Sequence, residues 1–137
     1  MAFIPSNVAQ FTFEVAELDQ ELRVVRFTGS EGLSQLFSFA LELASDDPAI
    51  DFGTVVGQPG RLTLYSAHGE RYVNGMVSRF EQAGDRGRFT IYHAELVPHF
   101  WLLAFRHRSR IFATPTEPLS VPDIIKKVLE EAGLSSD

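Results

Sequence analysis

The sequence predicts a mainly β fold with minor α, an antiparallel closed or split β-barrel carrying one C-terminal helix. Three observations lead there. Short segments alternate apolar and polar residues with period two along much of the chain. The links between them are short and rich in Gly, Asp, Ser and Pro, which is turn chemistry. One segment, beginning at Ser120, has the spacing and caps of a helix. Closing a sheet of about seven such strands removes edges that would otherwise aggregate.

In residues 11–16, Phe11, Phe13 and Val15 point one way and Thr12 and Glu14 the other, which makes a half-buried strand. Residues 22–28 form a second, and the short polar link from Glu17 to Glu21 makes the pair a hairpin. Gly29 and Gly32 punctuate the loop that follows. Residues 36–44 alternate most cleanly, with Phe37, Phe39, Leu41 and Leu43 on the core face. Asp51 is placed to cap a single helical turn, Phe52 to Val56, closed by Gly57 and Pro59. Strands at 61–66 and 71–83 flank a hairpin tip at Ala67-His68-Gly69-Glu70, and Gly75 inside the second marks a bulge or a barrel corner. Gly84-Asp85-Arg86-Gly87 turns the chain into a strand at 88–97, which Pro98 stops.

Residues 99–105 are apolar all round and read as a short buried helical turn, with Phe100, Trp101, Leu102, Leu103 and Phe105 as the plug of the barrel. Residues 106–112 return to strand, which puts Arg106, Arg108 and Arg110 on one face. A loop with two prolines, 113–119, leads to the helix at 120–133. There Ser120 is the N-cap, Asp123 completes a capping box, and Pro122 sits in the first turn, where its missing N–H costs nothing. Ile124, Ile125, Val128, Leu129 and Ala132 form a core-facing stripe opposite Lys126, Lys127, Glu130 and Glu131. Gly133 ends the helix.

Composition narrows the function. The chain has 137 residues, enough for one domain with a real core. Its formal charge of −6 argues against a general nucleic-acid binder, which needs a net basic surface. With no cysteine, disulfide and thiolate chemistry are excluded. The N-terminus lacks a basic n-region and an unbroken apolar run, so it does not read as a Sec signal peptide. No window approaches the roughly 18 apolar residues that a spanning helix needs.

No residue set points to catalysis or a cofactor. His93, His99 and His107 are spaced by 6 and 8 residues with nothing to force convergence on a metal, so they read as partly buried polar positions. Asp46, Asp47 and Asp51 lack a calcium-loop pattern and read as a solvated turn with a helix cap. Ser30-Glu31-Gly32 and Ser66 with His68 lack a nucleophile elbow. The arginine triplet reads as a solvated face or, in its sharper form, a partner-facing basic stripe suited to an acidic surface.

Three blocks carry a resemblance. They are LFSFALELASDD with DFGTVVGQP, GMVSRFEQ with FTIYHAELVPHFWLLAFRHRSRIF, and SVPDIIKKVLEEAGL. In order and spacing they resemble the N-terminal part of VgrG, the spike protein of type VI secretion, and the hub of contractile phage baseplates. The resemblance runs from Phe11 to Leu134, with a loop at 113–119 longer than the family's usual one.

The resemblance implies a non-enzymatic structural part: residues 1–137 as one domain, the N-terminal hub barrel of a longer spike protein. It implies a homotrimer in the full-length spike, with this piece alone a monomer or weak oligomer. It further implies docking on the hexameric Hcp tube, with no nucleic acid, small-molecule substrate or cofactor. Membrane contact would come only through a spike tip beyond this piece. The protein would assemble in the bacterial cytoplasm and leave without a signal peptide. A phage or prophage baseplate hub is the nearest alternative; a small barrel enzyme or ligand binder is the more distant one.

Overall fold

The computed structural model describes residues 10–112 and 115–134. These fall into two compact units, one running to Pro98 and the other from His99. The first holds six strands: β1 (Phe11–Val15), β2 (Arg23–Ser30), β3 (Ser38–Ser45), β4 (Pro59–Ser66), β5 (Gly69–Arg86) and β6 (Phe89–Val97). All pair antiparallel in one sheet of order β1-β4-β5-β6-β3-β2. The sheet curls until its outer strands meet at a single bridge, Phe13 to Leu22, so the barrel is split along that seam.

The seam corrects the hairpin expected for the first two strands. β1 makes its ladder with β4, from Phe11 opposite Leu64 to Val15 opposite Gly60, and touches the start of β2 only at the bridge. Two other turns are tighter than expected. β4 and β5 are joined by Ala67 and His68 alone, and β5 and β6 by Gly87 and Arg88. Gly87 takes φ 64, a left-handed conformation that a two-residue hairpin needs. Gly75 is not itself a bulge: β5 bulges between Val77 and Arg79 and between Gln82 and Gly84, while Gly75 lies where β5 passes from β4 to β6.

Alternation fills the barrel. Phe39, Leu41 and Leu43 of β3 are buried against Leu96, Ala94 and Tyr92 of β6, their register partners. Phe13, Leu62, Val73 and Val77 extend the core, and Phe37 packs half-buried at its rim. One acid of β3 is withdrawn from water on the face opposite the core. Glu42 is 8% exposed, and its carboxylate accepts from Arg26 Nε at 2.8 Å and lies 3.5 Å from Arg86 Nη2. A charge so withdrawn from water survives only when paired. Between β3 and β4, Asp51 caps a 3-10 turn at Phe52–Thr54 by accepting from the Gly53 N–H at 2.9 Å.

The second unit contains a 3-10 turn at His99–Phe105, an extended segment, and helix α1 (Val121–Glu131). Residues 106–112 do not form the expected strand. Their alternation is real, but a strand needs a neighbouring ladder to satisfy its backbone groups, and no pairing partner exists for them among the described residues. Positions 113 and 114 of the predicted loop lie outside the described residues.

Candidate functional site

Helix α1 starts as its sequence dictates. The Ser120 side chain accepts from the Asp123 N–H, and the Asp123 side chain accepts in return from the Ser120 N–H, closing a capping box. Hydrogen bonds from the Ser120 hydroxyl and backbone hold the Asp123 carboxyl below its ordinary value of 3.8. A folded-state value lowered in this way contributes stability above the unfolded value and loses it as pH falls. Ser120→Ala is expected to cost the helix about 1 kcal/mol. Far-UV circular dichroism should show the parent helix fraying as pH falls below 3.8, with that acid step blunted in the variant.

Along α1, Ile124, Val128, Leu129 and Ala132 are half-buried, while Ile125 is 52% exposed. On the 3-10 turn Phe100 is 52% exposed and Leu102 37%, and Trp101 packs edge-to-face on Phe105 at 4.7 Å. None of these side chains is fully buried. A unit of this size, below about 40 residues, does not enclose a core from its own surface.

The three arginines gather with α1. Arg106 Nη1 donates to the Glu131 backbone carbonyl at 3.0 Å. Arg110 grips the Glu131 carboxylate with both Nη atoms, Nη1 to Oε1 at 3.0 Å and Nη2 to Oε2. Arg108 lines the same cleft of about 170 Å3, whose walls are Leu103, Phe112 and Val128. The backbone N–H of Arg106 turns back onto the Leu103 carbonyl at 3.0 Å, which fixes how the segment leaves the 3-10 turn. The period-two spacing picks out these three side chains. It missed Glu131, which reads from sequence as part of the helix's wet face.

A second polar surface lies on the sheet, a shallow open hollow of about 520 Å3 across β2, β3, β6 and β5. Its charges are matched internally. Arg26 pairs with Glu42 at 2.8 Å and Arg79 with Glu81 at 2.9 Å. Ser38 and Ser78 donate to the Glu95 carboxylate at 2.8 and 3.0 Å. His93 sits 3.6 Å from Glu81. Among the described residues no three His, Asp or Glu side chains gather as a metal cluster.

Ser66 and Asp47 have structural work. The Ser66 hydroxyl donates to the Gly69 carbonyl at 2.9 Å across the β4–β5 turn. Asp47 accepts from the Ala49 N–H at 2.8 Å.

Residues 30–137 match the family model of the phage tail baseplate hub (GPD). Among curated proteins the chain is similar to the type VI secretion system spike protein VgrG4b of Pseudomonas aeruginosa, 37% identical over 136 residues. That alignment covers 98% of this chain and 16% of the relative. It is also similar to VgrG2a of the same organism, 40% identical over 123 residues, covering 89% of this chain and 14% of the relative. The chain thus spans about a sixth of the length of the curated relatives it matches. Among solved structures it resembles the E. coli protein c3393, described as a component of the type VI secretion system with structural similarity to the T4 bacteriophage tail proteins gp27 and gp5. The TM-score is 0.79 at 24% identity, over 91% of this chain and 33% of that one. At that identity the likeness speaks for the fold.

Proposed function

This chain belongs to the phage tail baseplate hub (GPD) family, and from that membership we propose that it is a structural, non-enzymatic hub piece of a type VI secretion spike. The observation that carries the reading is identity of 37% spread over 98% of the chain with a named spike protein. In this reading residues 1–137 form the N-terminal hub domain of a longer spike. Three copies in the full-length protein join a threefold spike to the sixfold Hcp tube, and the assembled spike leaves the cell without a signal peptide. The split barrel suits the task, because a rigid drum of paired strands transmits force without needing any reactive group. The family description itself favours a second reading, a hub in a contractile phage tail.

Mixing the chain with purified Hcp and reading mass by light scattering tests this. The chain alone should run as a monomer or weak oligomer and form a joint complex with Hcp rings. Failure to associate at any concentration, while a phage tube protein is captured, transfers the assignment to the phage hub. Failure with both tubes ends the docking proposal.

We expect the arginines to serve assembly more than folding. Replacing Arg106, Arg108 and Arg110 together by Ser should shift urea unfolding of the strand unit by less than about 1 kcal/mol, because exposed ion pairs contribute little. The same variant should weaken capture on the tube. A loss of several kcal/mol in the strand unit would show that the arginines hold the fold.

A further inference from the structure

We infer that the cleft formed by Arg106, Arg108, Arg110 and Glu131 is a docking site for an acidic segment of a partner protein, with the Glu131 carboxylate as a built-in competitor that fills it beforehand.

Three arginines and one glutamate line the cleft, in a chain whose formal charge is −6. The sheet hollow is different, since each of its cations already has a matching acid. The cleft is therefore a place of local positive excess on an otherwise acidic molecule. Glu131 also stands where a helix does not favour it. It is the last residue of α1, and the orphan carbonyls of that end make it the negative pole of the helix dipole. The last turn contains no basic side chain, so Arg110 of the extended segment holds the carboxylate in place.

Arg110 forks onto both carboxylate oxygens, whereas Arg106 spends an Nη1 donor on the backbone carbonyl. A guanidinium has five N–H donors, so further carboxylate oxygens find donors without dismantling every existing bond. A volume of about 170 Å3 is below the roughly 300 Å3 of an ordinary small-molecule pocket, and fits a single side chain. Leu103, Phe112 and Val128 give that side chain's methylene stem an apolar wall. This combination selects Glu or Asp on a protein over a sugar–phosphate backbone.

The inference takes from the proposed function only that these arginines face a partner. Its test uses the 137-residue chain by itself, so failure to bind Hcp and failure to bind carboxylate are separate results. The probe is a fluorescent hexaglutamate peptide at low salt, with hexalysine and a single-stranded DNA hexamer as comparisons. Hexaglutamate should bind saturably and weaken with salt. Glu131→Gln keeps an oxygen acceptor for Arg110 but removes the competing charge, so it should bind the peptide several-fold tighter. Arg108→Ser should bind it at least tenfold more weakly, with circular dichroism showing α1 intact in both variants. Unchanged or weaker binding in E131Q with α1 intact, no effect of R108S, or equal affinity for DNA would each overturn the inference. If E131Q unfolds α1, Glu131→Ser at lower temperature replaces it under the same criteria.

Discussion

Gly75→Ala is expected to lower the stability of the strand unit by about 3 kcal/mol, the upper end of ordinary overpacking. At Gly75 the long strand β5 leaves its ladder with β4 and joins β6. A Cβ there would stand 2.3 Å from the Val97 backbone oxygen and 3.0 Å from its carbon. Such a contact has no cheap relief, because the obstacle is the ladder itself and not a side-chain tip. The usual gain of about 0.4–1 kcal/mol from replacing glycine in the unfolded chain offsets only part of the cost. The melting temperature of the strand unit, which runs to Pro98, should fall by roughly 12–24 °C, at about 4–8 °C per kcal/mol for a unit of this size. Gly32→Ala is the control: its nearest neighbour is the flexible Gln35 side chain at 3.2 Å, and it lies on an exposed loop. Equal melting temperatures for the two variants would show that β5 and β6 separate there without penalty.

The same glycine shows where sequence reasoning reaches its limit. Its presence inside a strand pattern announced either a bulge or a corner, and the choice depended on β6, many residues away. Local signals were legible. The alternation of Phe39, Leu41 and Leu43 gave the face that the structure buries, and Ser120 with Asp123 gave the cap of α1. Asp51 likewise gave the cap of the 3-10 turn. Non-local pairings were not legible. That β1 joins β4 and not β2 follows from closure of the sheet, which no short window encodes. The arginine segment failed as a strand for the same reason, since alternation says which way side chains would point and not whether a neighbour exists. At the candidate site the arginines were visible by spacing, but Glu131 was hidden because an exposed helical Glu looks alike whether it faces water or a guanidinium.

Tyr92 looks in the sequence like any strand aromatic, yet it is the largest fully buried side chain of the barrel. Its ring stacks on Phe80 at 5.1 Å with an interplanar angle of 12°, and Phe80 in turn meets Phe52 of the capped turn. Its hydroxyl donates to the Asp47 carbonyl at 2.7 Å and accepts from the Ile50 N–H at 3.4 Å. One side chain thus fixes the β6 core and pins the connection between β3 and the 3-10 turn. Two substitutions separate these roles. Tyr92→Phe keeps the ring and should cost about 1–2 kcal/mol, the consequence of stranding a partly buried carbonyl. Tyr92→Ala also removes the ring, which adds the transfer and cavity costs of a large core deletion, for about 4–5 kcal/mol in all. Urea unfolding checks both magnitudes, and amide exchange checks the division of labour. In the Phe variant, exchange should quicken at Ile50 and its neighbours while Leu43 and Leu96 stay protected. In the Ala variant protection should fall across β3 and β6 together. Uniform loss in the Phe variant would mean that the hydroxyl braces the whole barrel, and that the loop and the core open as one unit.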